Sequence, residues 1–259
     1  MRRNVKHLHL LCTVLLACAI LAIAFPAGAW AAPAPYDVAA ADKDWKKRAN
    51  PGVADEMIAS LEEATKASPS NGELLWRLSR AYWWKAARYT TDRVEKLAVL
   101  DKAKAAGEQG AKLAPGNADA QYWHAVSIAQ AGQIRGILQS LFMVKPTKEA
   151  LDKALAIDPN HASSHYLMAE LMHQVPGPPI SIGNKAKSVE EARLAVKYGP
   201  DDSSHRLVLG KCLIATKQYA EARQALEYVV KMSVDPEDPE GTRLDRAEAE
   251  ELLASIKGK

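Results

Sequence analysis

The sequence predicts an all-α protein: a right-handed superhelical solenoid of about four helix–turn–helix units, with long insertions between the paired helices. Three observations carry that expectation. Four segments end alike, as Ala64-Thr-Lys-Ala-Ser-Pro69, Gly110-Ala-Lys-Leu-Ala-Pro115, Ala154-Leu-Ala-Ile-Asp-Pro159 and Ala195-Val-Lys-Tyr-Gly-Pro200. Each reads as the last turn of a helix, stopped by a proline that cannot continue it. After each stop a small or polar stretch leads into a new amphipathic helix, beginning near Gly72, Ala118, Ala162 and Ser203. Finally, 48% hydrophobic and 25% charged residues is the composition of a folded chain and excludes a disordered one.

The first residues stand apart. Arg2, Arg3 and Lys6 precede an apolar run from Leu10 to Phe25, Pro26 and the small residues of Ala27-Gly28-Ala29-Trp30-Ala31-Ala32. This pattern predicts a secretory signal peptide, residues 1–31, cleaved near Ala31, with Ala29 the neighbouring choice. A lipoprotein held through Cys18 and an uncleaved membrane anchor are the alternatives. The run is slightly short for a spanning helix, which needs roughly 17–25 apolar residues. Residues 32–51 read as an N-terminal segment with partial helix, 52–232 as the repeat domain, and 233–259 as a loop and capping helix.

Without residues 1–31 the chain keeps 31 basic and 31 acidic residues, so the basic balance belongs to the leader. No general electrostatic case for nucleic acid remains. Cys212 is then the lone cysteine, unable to form an internal disulfide, and its helical spacing places it in the core.

The last unit is the clearest. Leu209-Gly210, Leu213, Tyr219, Ala222 and Leu226 pair small residues, which let two helices approach, with large ones that fill the space around the contact. That spacing resembles the tetratricopeptide repeat, a helix–turn–helix unit of about 34 residues. The four prolines are 46, 44 and 41 residues apart, which places insertions around 86–97, 133–145 and 175–187. In the second insertion Ile134, Ile137, Leu138, Leu141 and Phe142 fall at amphipathic-helix spacing. This surface has three readings: a flap closing a pocket, a partner or self-association face of a homo-oligomer, or local packing. Pro176 to Asn184 reads as an ordered loop, Asp235 to Gly241 as another, and 243–257 as a polar-faced cap.

The run Trp45…Arg48-Ala-Asn-Pro51 with Leu75-Trp-Arg-Leu-Ser-Arg-Ala-Tyr-Trp83 resembles the TatT (T component) family, periplasmic helical-repeat proteins associated with TRAP transporters. The stretch from Ala118 through Gly136-Ile-Leu-Gln-Ser-Leu-Phe142 and Lys148-Glu-Ala-Leu-Asp-Lys-Ala-Leu155 to His173-Gln-Val175 is similar to the regulator of microtubule dynamics family. Together these resemblances cover roughly residues 45–232.

Catalysis finds little support. The chain has no Gly-x-Ser-x-Gly, no His-Glu-x-x-His and no phosphate loop, and neither cofactor nor metal is expected. His161 and His165 are four apart, but His161 precedes its helix. Binding is the better expectation. Trp76, Arg80 and Trp83 share one helix face, since they are spaced i, i+4 and i+7. An arginine among aromatics can pair a carboxylate and stack at once. The tetratricopeptide resemblance puts Trp76, Arg80, Trp83 and Trp84 on the concave side, with Tyr122, Tyr166, Glu170 and His173 from later units. The bland reading has some of these tryptophans filling core. The expectation is therefore a non-catalytic exported binding protein. By resemblance it contacts a TRAP solute-binding protein and shelters a small apolar or carboxylate ligand. A general envelope scaffold and a microtubule-regulator-like protein are the alternatives.

Overall fold

The computed structural model describes residues 36–259, with Ile137 described through its backbone alone. The signal-peptide reading, its cleavage site and Cys18 lie outside the described residues. Within them the chain forms eleven helices: α1 (Val38–Trp45), α2 (Val53–Ala67), α3 (Gly72–Arg88), α4 (Arg93–Leu113), α5 (Ala118–Arg135), α6 (Ile137–Ile157), α7 (Ala162–Gln174), α8 (Lys185–Tyr198), α9 (Ser203–Ala215), α10 (Tyr219–Lys231) and α11 (Pro239–Ser255).

Local chemistry sets the boundaries. Helices α2, α4, α6 and α8 each end two residues before Pro69, Pro115, Pro159 or Pro200, because the residue before proline is pushed out of the helical region. The helix after each stop opens on a side-chain cap. Asn71, Asn117 and Asp202 accept from backbone N–H groups of the first turn, and His161 does so through Nδ1. These contacts satisfy donors that the helix cannot.

The pairs α3–α4, α5–α6, α7–α8 and α9–α10 pack as hairpins, preceded by α1 and α2 and followed by α11. The first helices of successive hairpins also touch one another, α3 on α5, α5 on α7 and α7 on α9, whereas the second helices do not. This is a helical tetratricopeptide-like solenoid with the first helices as its inner row. The hairpins close where small residues allow it. A Cβ on Gly110 would stand 2.7 Å from the Trp76 backbone nitrogen, and one on Gly210 2.5 Å from Leu226 Cδ2.

Polar joints recur between units. Gln121 Nε2 donates to Ala111 O, His165 Nε2 lies 2.9 Å from Pro159 O, and His205 Nδ1 lies 2.9 Å from Gly199 O. Each inner helix thus satisfies a carbonyl in the last turn of the preceding helix or just past it. Leu151, Leu213, Leu226, Val229 and Cys212 are fully buried, and burial pushes the Cys212 thiol up to about 11.

The insertions correct the sequence reading in part. The first two are not separate segments between helices but added turns, so α4 and α6 each run 21 residues. The expected insertion helix is continuous with α6, and only Gly136 separates it from α5. Gly136 has φ +110°, a conformation open to glycine and costly for other residues. The third insertion is a loop, 175–184, tied back by Asn184 N to Met172 O and Gly183 N to Pro176 O.

Candidate functional site

The site begins with α1 laid across α3. Trp45 on α1 is flanked by two guanidinium groups, Arg48 at 4.4 Å and Arg80 at 4.1 Å from its ring centroid. Beyond Arg48 stands Trp84, at 4.9 Å, and beyond Arg80 stands Trp76, at 5.0 Å. Arg77 covers Trp76 at 4.0 Å. The result is an alternating ladder, Trp84–Arg48–Trp45–Arg80–Trp76–Arg77. Each step is a cation over a π face, worth about 0.5–2 kcal/mol according to exposure.

Carboxylates hold the ladder's cations. Asp42 takes Arg77 through two bonds, of 2.8 and 2.7 Å, and Arg80 through a third of 3.0 Å. Glu73 accepts from Arg77 and from Trp76 Nε1 at 2.9 Å each. Burial pulls Arg80 down to about 10, still far above neutrality, so it stays a cation. Burial alone would raise Asp42, but its bonds to Arg77 and Arg80 and their charge outweigh this and hold it below the ordinary carboxylate range.

A second aromatic group borders the ladder. Trp123 on α5 lies 6.0 Å from Trp45 and 5.3 Å from Trp83, and Tyr122 packs edge-on against Trp123 at 5.2 Å. Trp45, Trp83, Tyr122 and Trp123 are half-buried, while Trp76 and Trp84 are buried beneath them. Three buried donor atoms in this region have no partner among the described residues: Arg48 Nε, Arg80 Nε and Trp83 Nε1. Buried polar atoms are normally hydrogen-bonded, and an unmade bond costs about 1–3 kcal/mol.

The remaining expected residues form a separate group on α7. Tyr166 packs against His205 at 5.5 Å. Glu170 faces Lys211 at 3.8 Å and accepts from Gln174, and Lys211 also pairs with Glu248 at 2.8 Å. Burial pushes Glu170 above the usual carboxylate range against the pull of Lys211. Burial lowers His173, whose Nδ1 is also unpartnered. On α6, Leu138 and Phe142 are exposed, at 76% and 72%, and Leu141 is half-buried. The Ile137 side chain lies outside the described residues.

A carboxyl raised in the folded state binds protons more tightly there, so its contribution to stability falls as pH rises past its unfolded value. Glu170→Gln is therefore expected to raise the thermal midpoint at pH 8 by about 2–4 °C, the equivalent of about 1 kcal/mol. At pH 4 the same substitution is expected to change it little. Differential scanning calorimetry at the two pH values checks this.

Sequence reasoning placed Trp76, Arg80, Trp83 and Trp84 together on one helix. It missed Asp42 and Trp123, and it gave Trp45 and Arg48 no chemical role. The signal for them was an arginine-rich helix facing other elements that carry tryptophan and aspartate. Only the packing of α1 and α5 on α3 pairs them.

The family model described as "Regulator of microtubule dynamics protein 1-3" matches residues 38–176, a span that includes the whole ladder. Over 106 residues the chain is 30% identical to regulator of microtubule dynamics protein 3 of Bos taurus, which is 41% of this chain and 22% of that protein. Over 197 residues it is 24% identical to regulator of microtubule dynamics protein 1 of Mus musculus, 72% of this chain and 65% of that protein. The chain thus spans less than two thirds of the length of either relative. Among solved structures, a thermophilic tetratricopeptide-repeat protein of Thermus thermophilus superposes with a TM-score of 0.59 at 15% identity. The match covers 81% of this chain and 98% of that one, a likeness of fold.

Proposed function

The chain belongs to the regulator of microtubule dynamics protein 1-3 family, and on that premise we propose that it is a non-catalytic adapter that binds a partner protein on its Trp–Arg face. The observation that carries this reading is the ladder itself. Buried guanidinium groups are stacked between indoles, with unpartnered donor atoms at Arg48 and Arg80. Tryptophan and arginine dominate binding energy at protein interfaces, and they do so most in desolvated, well-packed places. A pre-stacked guanidinium loses little freedom when a partner's carbonyl or carboxylate reaches it.

The test is affinity capture of the tagged protein from crosslinked cells, comparing wild type with Arg80→Lys. Lysine keeps the charge but cannot stack as a plane between Trp45 and Trp76. Recovery of specific partners is expected to fall about tenfold, the effect of losing about 1.4 kcal/mol. Equal recovery would remove Arg80 from the binding surface.

Two finer readings belong to the same proposal. The resemblance to TRAP-associated proteins, with the apolar leader, supports an exported accessory that contacts a solute-binding protein. Capture of such a protein from the exported fraction would establish it. The names of the matched relatives support action on microtubule dynamics, which co-pelleting with purified microtubules would detect.

A further inference from the structure

In a helical-repeat solenoid each unit touches its neighbours. One contact here breaks that rule. The loop between α10 and α11 reaches back to the turn after α1 and to the end of α3. Glu237 Oε2 accepts from Arg48 Nη1 at 2.6 Å, and Asp238 receives a two-pronged bond from Arg88, with Nε at 3.0 Å from Oδ1. The paired residues are 189 and 150 positions apart.

Residues Asp235-Pro-Glu-Asp-Pro-Glu240, the end of the loop and the first turn of α11, offer carboxylates and proline rings and no large apolar side chain. Charge rather than apolar packing therefore holds the loop on this face. Its receptor is built without it. Arg48 is stacked between Trp45 and Trp84, its Nη1 donates to Trp45 O at 2.9 Å, and its own carbonyl accepts from Trp84 Nε1 at 3.1 Å. Arg88 lies over the Trp84 ring at 5.1 Å. Arg48 is 8% exposed, and its Nε remains unpartnered with the loop in place. The resident segment thus leaves part of the receptor's bonding capacity unused. Residues 235–240 also lie outside the 38–176 span that the family model matches, whereas Arg48, Trp84 and Arg88 lie inside it.

We propose that the Arg48–Trp84–Arg88 face is a receptor for acidic, proline-spaced peptide segments, and that residues 235–240 occupy it in cis as an autoinhibitory ligand. This rests on the protein-binding reading above and names the chemistry of the partner: carboxylates two or fewer residues apart on a proline-stiffened turn, closed here by Asp238 N donating to Asp235 O and Glu237 N to Asp235 Oδ1. The tethered segment competes at an effective concentration in the millimolar range, so it masks the face from weaker or scarcer ligands. A partner gains access by displacing it, and the observed affinity is reduced by the fraction of molecules that are closed.

The experiment uses the full chain and a labelled peptide copying residues 233–242, followed by fluorescence anisotropy. In the double variant Glu237→Gln, Asp238→Asn the segment loses the two carboxylates that Arg48 and Arg88 hold. The cap of α11 survives the second substitution, since asparagine and aspartate cap about equally well. The variant is expected to bind the peptide about tenfold or more tighter than wild type. A peptide carrying the same two neutral substitutions is expected not to bind. This control peptide tests the charge requirement without disturbing the fold of the receptor. Equal affinity of wild type and variant, including no binding by either, would overturn the proposal, and so would equal binding of the native-sequence and substituted peptides. The broader reading fails differently, since it predicts loss of cellular partners with Arg80→Lys whatever this peptide does.

Discussion

Leu226→Ala is expected to cost about 3 kcal/mol, within the range of about 2–5 for a fully buried leucine, and to lower the thermal midpoint by about 6–12 °C. Leu226 has no exposed surface and its Cδ2 lies against Gly210, so truncation opens a hole between α9 and α10. The neighbouring glycine supplies an internal control. Gly210→Ala alone is expected to destabilise, because its Cβ would stand 2.5 Å from Leu226 Cδ2. In the Leu226→Ala background that clash is absent, so the two substitutions are expected to be non-additive, with the double variant more stable than the sum predicts. Chemical denaturation of the four proteins measures the coupling. Additive costs would mean that α9 and α10 do not meet through this pair.

Asp42→Ala is expected to be nearly as severe, and to act at the candidate site. It leaves Arg77 and Arg80 without the carboxylate that takes three of their hydrogen bonds. Breaking a buried pair costs about 3–5 kcal/mol, but Asp42 is 41% exposed, so solvent screening reduces the expected loss to about 2 kcal/mol. The pH dependence has a definite sign. Asp42 is held below its unfolded value, about 3.9. Its stabilisation is therefore complete above that value and is lost as pH falls through the folded one. Wild type and variant are expected to differ at pH 7 and to converge as pH falls below the unfolded value and through the folded one. A constant difference across that range would assign the effect to packing of α1 instead.

Much of the fold was legible because each helix boundary is written locally. The proline stops and the caps at Asn71, Asn117 and Asp202 need only a few neighbouring residues to be read. Small–large pairing was equally readable in the last unit, where Gly210 and Leu226 meet as their spacing suggests. The insertions were harder. A period longer than 34 residues shows that residues are added, but helix extension and loop insertion lengthen it alike. Only the Pro176–Asn184 stretch carried turn chemistry strong enough to decide between them.

The site was legible only where it lies on one helix. Trp76, Arg80 and Trp83 share a face of α3 by spacing alone. Their neighbours Asp42, Trp45 and Trp123 come from α1 and α5, and no local pattern announces a long-range cation–π stack. The contact between residues 235–240 and Arg48 and Arg88 was invisible for the same reason. An acidic proline-rich stretch reads as a solvated loop until the curvature of the solenoid brings it home.

The central claim is that partners dock on the Trp–Arg face. Its most direct test is site-specific photocrosslinking in cells, with a photoreactive phenylalanine placed at Trp123, half-buried beside the ladder, and in a second protein at Val94, 76% exposed on the first turn of α4. We predict a discrete heavier adduct from position 123 and none from position 94. Adducts of equal yield from both positions, or from position 94 alone, would contradict the assignment of this face as the binding surface.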